Sequence, residues 1–209
     1  MIAAGPVAII TRFRSPGAKV ALVVGEHVSE SQMPVLRIEF YGGSLLATAG
    51  RKELCMSEEQ THYPDHFVDR LEILWGEGFL SPGGPSEVRA IAAGIDLTGK
   101  TVLDIGCGTG GVDFILAGEL GASHVVAIDI ESGLLDRARA RLASSNPGLA
   151  GRVEFHLVSP GPLNWPTATF DVVFSKDAMI QIPDKAAMYS EVFRVLKPGG
   201  VFAASDWLG

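Results

Sequence analysis

Apolar residues follow two rhythms along this chain. Before about position 50 they come in short runs at 7–10, 20–24 and 35–40, separated by Gly and Pro, and runs of that length read as β-strands. From His66 onward helical and strand periods take turns. A helix is predicted over 66–75, where Phe67, Leu71, Ile73 and Leu74 roughly keep a helical spacing. The turn Ser81-Pro82-Gly83-Gly84 leads into a second helix over 85–95, with Pro85 suited to a first turn. The strand runs 101–105, 124–130, 153–158, 170–174 and 201–205 then alternate with helices over 112–120, 133–143 and 185–196. Strands separated by helices imply right-handed crossovers, so the pattern predicts an α/β fold over 85–209. Its sheet would be doubly wound, mostly parallel and covered by helices on both faces.

Composition narrows the function. The chain has 209 residues, 47% hydrophobic and 20% charged, enough for one packed domain plus an appendage. Its net charge of −7 gives no electrostatic reason to bind nucleic acid or an anionic membrane surface. No apolar run approaches the ~20 residues of a membrane span. The apolar start has no basic residue before it, so no signal peptide is expected. Two cysteines, Cys55 and Cys107, cannot build a disulfide framework, which fits a cytoplasmic protein. Residues 1–55 carry a balance of +2 and residues 56–209 one of −9, so a break falls near 55. The expected organisation is an N-terminal extension over 1–55, either a small β appendage or little structured, and a cofactor-binding domain over 56–209.

The chemistry concentrates after the 101–105 strand. Gly106, Gly108 and Gly111 follow that strand and open a helix, where a backbone without side chains can turn tightly and approach a ligand. Asp129 ends the next strand, 23 residues after Gly106, where a carboxylate accepts from both ribose hydroxyls of an adenosine. This spacing alone fits a nicotinamide dinucleotide, hence an oxidoreductase, as well. Asp104 separates the two: it would repel a pyrophosphate but suits the ammonium and sulfonium of S-adenosylmethionine. Cys107 reads as a small residue that fits the loop.

These segments resemble the class I S-adenosylmethionine-dependent methyltransferases. Asp104-Ile105-Gly106-Cys107-Gly108-Thr109-Gly110 is similar to their first motif and Ala127-Ile128-Asp129-Ile130 to their second. Phe170-Asp171-Val172-Val173-Phe174 and Leu196-Lys197-Pro198-Gly199-Gly200 resemble the fourth strand and the turn into the fifth. A narrower resemblance, to phosphoethanolamine N-methyltransferases and related small-amine enzymes, covers 60–209. Thr61-His62-Tyr63, Trp75-Gly76-Glu77-Gly78-Phe79-Leu80-Ser81-Pro82-Gly83-Gly84 and Ser175-Lys176-Asp177-Ala178 carry it.

The resemblance implies a Rossmann-like fold, S-adenosylmethionine as cofactor and a small amine as substrate. It implies that Leu80, Ser81, Gly106, Cys107, Gly108, Asp129, Ser159 and Lys176 bind the cofactor, with Ile130 on the adenine. Asp104 would lie near the methionyl ammonium. Tyr63 would close over the cofactor and, with Asp177 and Gln181, shape the amine site. Two positions depart from the pattern. Gln181 stands where the family has a histidine paired with the tyrosine, and glutamine takes no proton near neutral pH. Ser159 stands where an acidic residue usually holds the adenine amino group. The resembled fold also continues beyond strand five with an antiparallel hairpin. The chain is therefore expected to be truncated, with strand five an exposed apolar edge open to self-association or, failing turnover, a catalytically silent cofactor-binding fragment.

Overall fold

The computed structural model describes residues 63–206 and the backbone of three strands nearer the N-terminus, β1 (Val7–Arg12), β2 (Val20–Val23) and β3 (Val35–Ile38). The break expected near position 55, with Cys55 and His62, lies outside the described residues. Five further strands run parallel: β4 (Thr101–Ile105), β5 (His124–Asp129), β6 (Val153–Leu157), β7 (Phe170–Lys176) and β8 (Leu196–Asp206). Their order is β6-β5-β4-β7-β8, the doubly wound arrangement the alternating pattern predicts. The chain winds outward from β4 in one direction and from β7 in the other. Beyond the carboxyl ends of those two strands, at the switch point, a ligand crevice opens.

Strand periodicity divides the core in two. Val102, Val125, Val172 and Ala203 face one way and pack with Val88 and Ile91 of α2 (Gly84–Ile91), Leu116 of α3 (Gly111–Gly118) and Leu135 of α4 (Ser132–Ser145). Leu103, Val126, Val173 and Phe202 face the other way, against Val192 and Val195 of α5 (Lys185–Val195). Each such side chain, taken fully from water, contributes roughly 1.5–3 kcal/mol. Helix α1 (Asp65–Trp75) precedes these elements and buries Val68. No helix among the described residues is long and apolar enough to cross a membrane.

Strand β8 differs from expectation at both its start and its outer edge. It begins at Leu196 rather than 201, because Phe170 pairs with Leu196 and Val172 with Val201. The intervening Lys197-Pro198-Gly199-Gly200 bulges from the ladder, with Gly199 at φ 80°. The edge expected to be exposed is covered. Strand β1 pairs with it antiparallel, from Val7 opposite Asp206 to Arg12 opposite Val201. An edge ladder accepts any extended segment, and an antiparallel partner needs no crossover helix. The self-association expected through that edge therefore has no open ladder to use. The first apolar run is thus a member of the main sheet, while β2 and β3 form a separate antiparallel pair.

Candidate functional site

The glycine loop joins β4 to α3 and sits on the end of β5. Gly106 and Cys107 both donate to the Ile128 carbonyl, at 2.9 and 3.0 Å. Gly106, Gly108 and Gly110 take φ values of 79°, 55° and 90°, which would strain residues with a Cβ. A Cβ on Gly106 would overlap the Ala178 methyl, and one on Gly108 would come 3.3 Å from Leu80 Cδ1. The glycines leave bare backbone where the loop, the β7 exit and the Leu80 segment converge.

Asp129 closes this loop. Its Oδ2 accepts from Gly108 N at 2.8 Å and its Oδ1 from Glu131 N at 3.0 Å. Burial pushes its carboxyl above the ordinary range, against the pull of those N–H groups. Together with the Ile130 N–H these donors still leave lone pairs free to accept from hydroxyls.

Asp104 is 1% exposed and does not line the cavity beside the loop. Two positions after Val102, it shares that residue's face of the sheet and points toward α3. There it meets Asp113, which is completely buried. Among the described residues no N–H or hydroxyl of another residue reaches the oxygens of either group, and only Asp113's own backbone N–H pulls on its carboxyl. The pair resolves itself by sharing a proton: Asp113 stays protonated well above the carboxylate range and can donate to Asp104. Burial pushes Asp104 up to about 7 despite that bond. Sequence reasoning missed Asp113; its only signal was an acidic residue in the first turn of an otherwise apolar helix.

Lys176, the last residue of β7, and Asp177 after it form a buried charge cluster. Lys176 Nζ lies 2.7 Å from Ser81 Oγ, 2.7 Å from the Pro82 carbonyl and 2.7 Å from Asp177 Oδ2. It also stands 2.9 Å from Glu87 Oε2. An ammonium has three protons, so these contacts use all of them. Lys176 therefore fixes the Ser81–Pro82 turn to the sheet. Asp177 adopts φ 55°, uncommon for a residue with a Cβ, and its second oxygen, Oδ1, is buried without a partner.

An open cavity of about 1530 Å³ spreads over the strand ends. Every residue expected at the site lines it except Asp104. Gln181 Nε2 lies 3.4 Å from the Tyr63 hydroxyl, so the two positions expected to cooperate meet. Ile130 and Leu157 turn aliphatic surface toward the cavity at 54% and 56% exposure, and Ser159 stands exposed on its rim. The glycine cradle, the Asp129 carboxylate and this aliphatic wall fit an adenosine whose sugar approaches bare backbone.

A second network behind the loop had no sequence signal. Glu72 Oε1 accepts from Thr109 Oγ1 at 2.7 Å, Gly78 N at 3.1 Å and Arg141 Nη2 at 2.9 Å. Arg141 Nη1 also donates to the Thr109 carbonyl at 2.6 Å, and its Nε to Glu77 at 3.1 Å.

Comparison with known proteins gives this cavity a family. A model described as "Methyltransferase domain" matches residues 96–208. Phosphoethanolamine N-methyltransferase 1 of Arabidopsis thaliana is 35% identical over 150 residues, 71% of this chain and 30% of that protein. A phosphoethanolamine N-methyltransferase of Triticum aestivum is 36% identical over 212 residues, 94% of this chain and 41% of that protein. Haemonchus contortus phosphoethanolamine N-methyltransferase 2, solved in complex with S-adenosyl-L-methionine, superposes with a TM-score of 0.64 at 32% identity, covering 69% of this chain and 33% of that one. The chain thus spans between 30% and 41% of the length of these two curated relatives. Of the two cofactor classes the glycine spacing leaves open, the match selects S-adenosylmethionine over a dinucleotide. The chain belongs to the class I S-adenosylmethionine-dependent methyltransferases.

Proposed function

We propose that this chain forms the cofactor-binding part of a cytoplasmic enzyme that methylates the nitrogen of a small amine. Phosphoethanolamine, which the relatives' names carry, is the first acceptor to test. The observation that carries the reading is one cavity shared by the glycine loop, Asp129 and the Tyr63–Gln181–Asp177 wall.

S-adenosylmethionine, when bound, supplies a methyl carbon on a sulfonium, which an amine lone pair displaces as the S–C electrons return to sulfur. The residues' task is alignment and exclusion of water, which supplies several kcal/mol of barrier reduction. Asp129 accepts the ribose hydroxyls, Ile130 packs on the adenine, and Ser159 offers a neutral acceptor at the rim. Asp104 contributes negative potential from behind the loop rather than a direct contact. Positive charge appears on the acceptor nitrogen, and Asp177, with an unpartnered buried oxygen, supports that charge. Tyr63 adds an aromatic face beside it. Gln181 orients through its amide but takes no proton, so the amine must enter in its neutral form.

The test has two stages. Titration with S-adenosylhomocysteine should show binding that Asp129→Ala weakens about 10- to 150-fold, the loss of a desolvated charged hydrogen bond. Labelled S-adenosylmethionine with a panel of small amines and their phosphate esters should then show transfer that Asp177→Ala lowers. Unchanged affinity in Asp129→Ala would refute the cofactor site. Binding without transfer to any amine would instead mark a silent cofactor-binding fragment.

A further inference from the structure

We infer that Glu72 and Arg141 are positioning residues that set the affinity of the cofactor loop, an inference that rests on the cofactor site proposed above. The two charges lie 69 residues apart in the chain and do not line the cavity; they hold Gly78 and Thr109, which do. Their side chains are 14% and 12% exposed, sheltered enough for the pairing to resist screening by salt. They bind four separate pieces of the chain to one another around the site. Glu72 holds its own helix α1, the Gly78 turn that leads to Leu80 and Ser81, and the Thr109 hydroxyl. Arg141 holds α4 and the Thr109 carbonyl, and grips both Glu72 oxygens at 2.9 and 3.0 Å.

The geometry explains why a clamp is needed here. The glycine loop has few side chains with which to fix itself, and its three left-handed glycines are the most conformationally free residues in the site. Thr109, lying between Gly108 and Gly110, is the only residue of that stretch with polar side-chain atoms, and the clamp seizes both its hydroxyl and its carbonyl. On the other side, Gly111 N donates to the Gly78 carbonyl at 3.1 Å, and a Cβ at Gly111 would come 2.6 Å from that oxygen. The Gly78 turn and the start of α3 therefore share one backbone contact, and Glu72 closes the ring around it. A loop held in its binding geometry before the ligand arrives loses less conformational entropy on binding. The planar guanidinium suits this, because its fork fixes Nη1 on the Thr109 carbonyl and Nη2 on both Glu72 oxygens, whereas a lysine is a single point donor on a flexible stem.

The experiment is calorimetry of S-adenosylhomocysteine binding well below the melting temperature, on wild type, Arg141→Lys, Glu72→Gln and Thr109→Val. Arg89→Ala, which breaks an ion pair of about 49% and 50% exposure at the C-terminal end of α3, is the control. The clamp predicts that stoichiometry stays near one per folded chain while affinity falls at least about tenfold in the three clamp variants. It predicts that Arg89→Ala binds as wild type, and that Arg141→Lys added to Glu72→Gln costs little more than either alone. Variants that melt earlier but bind within twofold of wild type would show a structural bond only and overturn the inference. Should Glu72→Gln fail to fold, Thr109→Val and Thr109→Ser decide it, since only serine keeps the hydroxyl. A wild-type chain that binds no S-adenosylhomocysteine would overturn the cofactor site itself, and the clamp with it.

Discussion

Gly106 and Ala178 stand face to face between the first and fourth parallel strands, with no room for a Cβ on the glycine beside the alanine methyl. The glycine loop and the segment carrying Asp177 are thereby in direct contact. Gly106→Ala adds a methyl against a rigid neighbour and places it on a backbone at φ 79°. Overpacking and left-handed strain together should cost roughly 2–4 kcal/mol. Gly108→Ala meets the mobile end of Leu80 at 3.3 Å and should cost clearly less. Urea unfolding of the two variants checks this; equal losses would contradict the contact.

The Asp104–Asp113 pair makes stability depend on pH. An unfolded aspartate ionises near pH 4, whereas in the fold Asp104 is raised to about 7 and Asp113 well above the carboxylate range, both by burial first. The folded chain therefore binds more protons than the unfolded chain between those limits, and its stability falls as pH rises from about 4 toward 7. With two protons involved the slope is at most about 2.7 kcal/mol per pH unit. Asp113→Asn removes one acid and gives Asp104 an amide donor, returning it toward its ordinary range. Unfolding free energies across pH 5 to 7 should slope markedly less in the variant. A slope equal to that of wild type would sink the proton-sharing account.

Local pattern made much of this legible. The five parallel strands follow from apolar runs alternating with helices, and the cavity from glycines after a strand with Asp129 at the next strand's end. Tyr63 and Gln181, singled out by family resemblance, lie 3.4 Å apart. What stayed hidden depends on neighbours that period and spacing do not encode. Asp104 reads as a ligand-facing carboxylate until its face of the sheet is known, and that face belongs to α3 and Asp113. Glu72 and Arg141 look like solvated charges on amphipathic helices, because nothing in either helix names the other. The pairing of β1 with β8 joins the two ends of the sequence, and a strand's alternation says nothing about which edge it will join.

That pairing carries a prediction of its own. Removing residues 1–12 uncovers the outer ladder of Leu196–Asp206, a run of unpaired N–H and C=O groups able to template another chain. The shortened chain should self-associate with rising concentration, while the full chain changes less over the same range. Light scattering coupled to size exclusion measures it. A shortened chain with the same mass at every concentration would show that the edge needs no cover.

Lys176 offers the largest expected loss of stability. Its side chain is 2% exposed, against 4% for Asp177 and 12% for Glu87, so neither carboxylate can turn to water if the ammonium is removed. Lys176→Met keeps the length of the side chain and deletes the charge, leaving two buried anions near each other. Breaking a buried pair from one side costs about 3–5 kcal/mol. The Ser81 hydroxyl and the Pro82 carbonyl lose their donor at the same time, which should free the turn that walls the cavity. Adding Glu87→Gln to Lys176→Met removes one of the two orphaned charges and should recover part of the loss, although Glu87→Gln alone changes little. Chemical denaturation of the two single variants and the double gives the cycle directly. If the double is no more stable than Lys176→Met, Glu87 is not held by this ammonium and the cluster reduces to Lys176, Asp177 and the Ser81 turn.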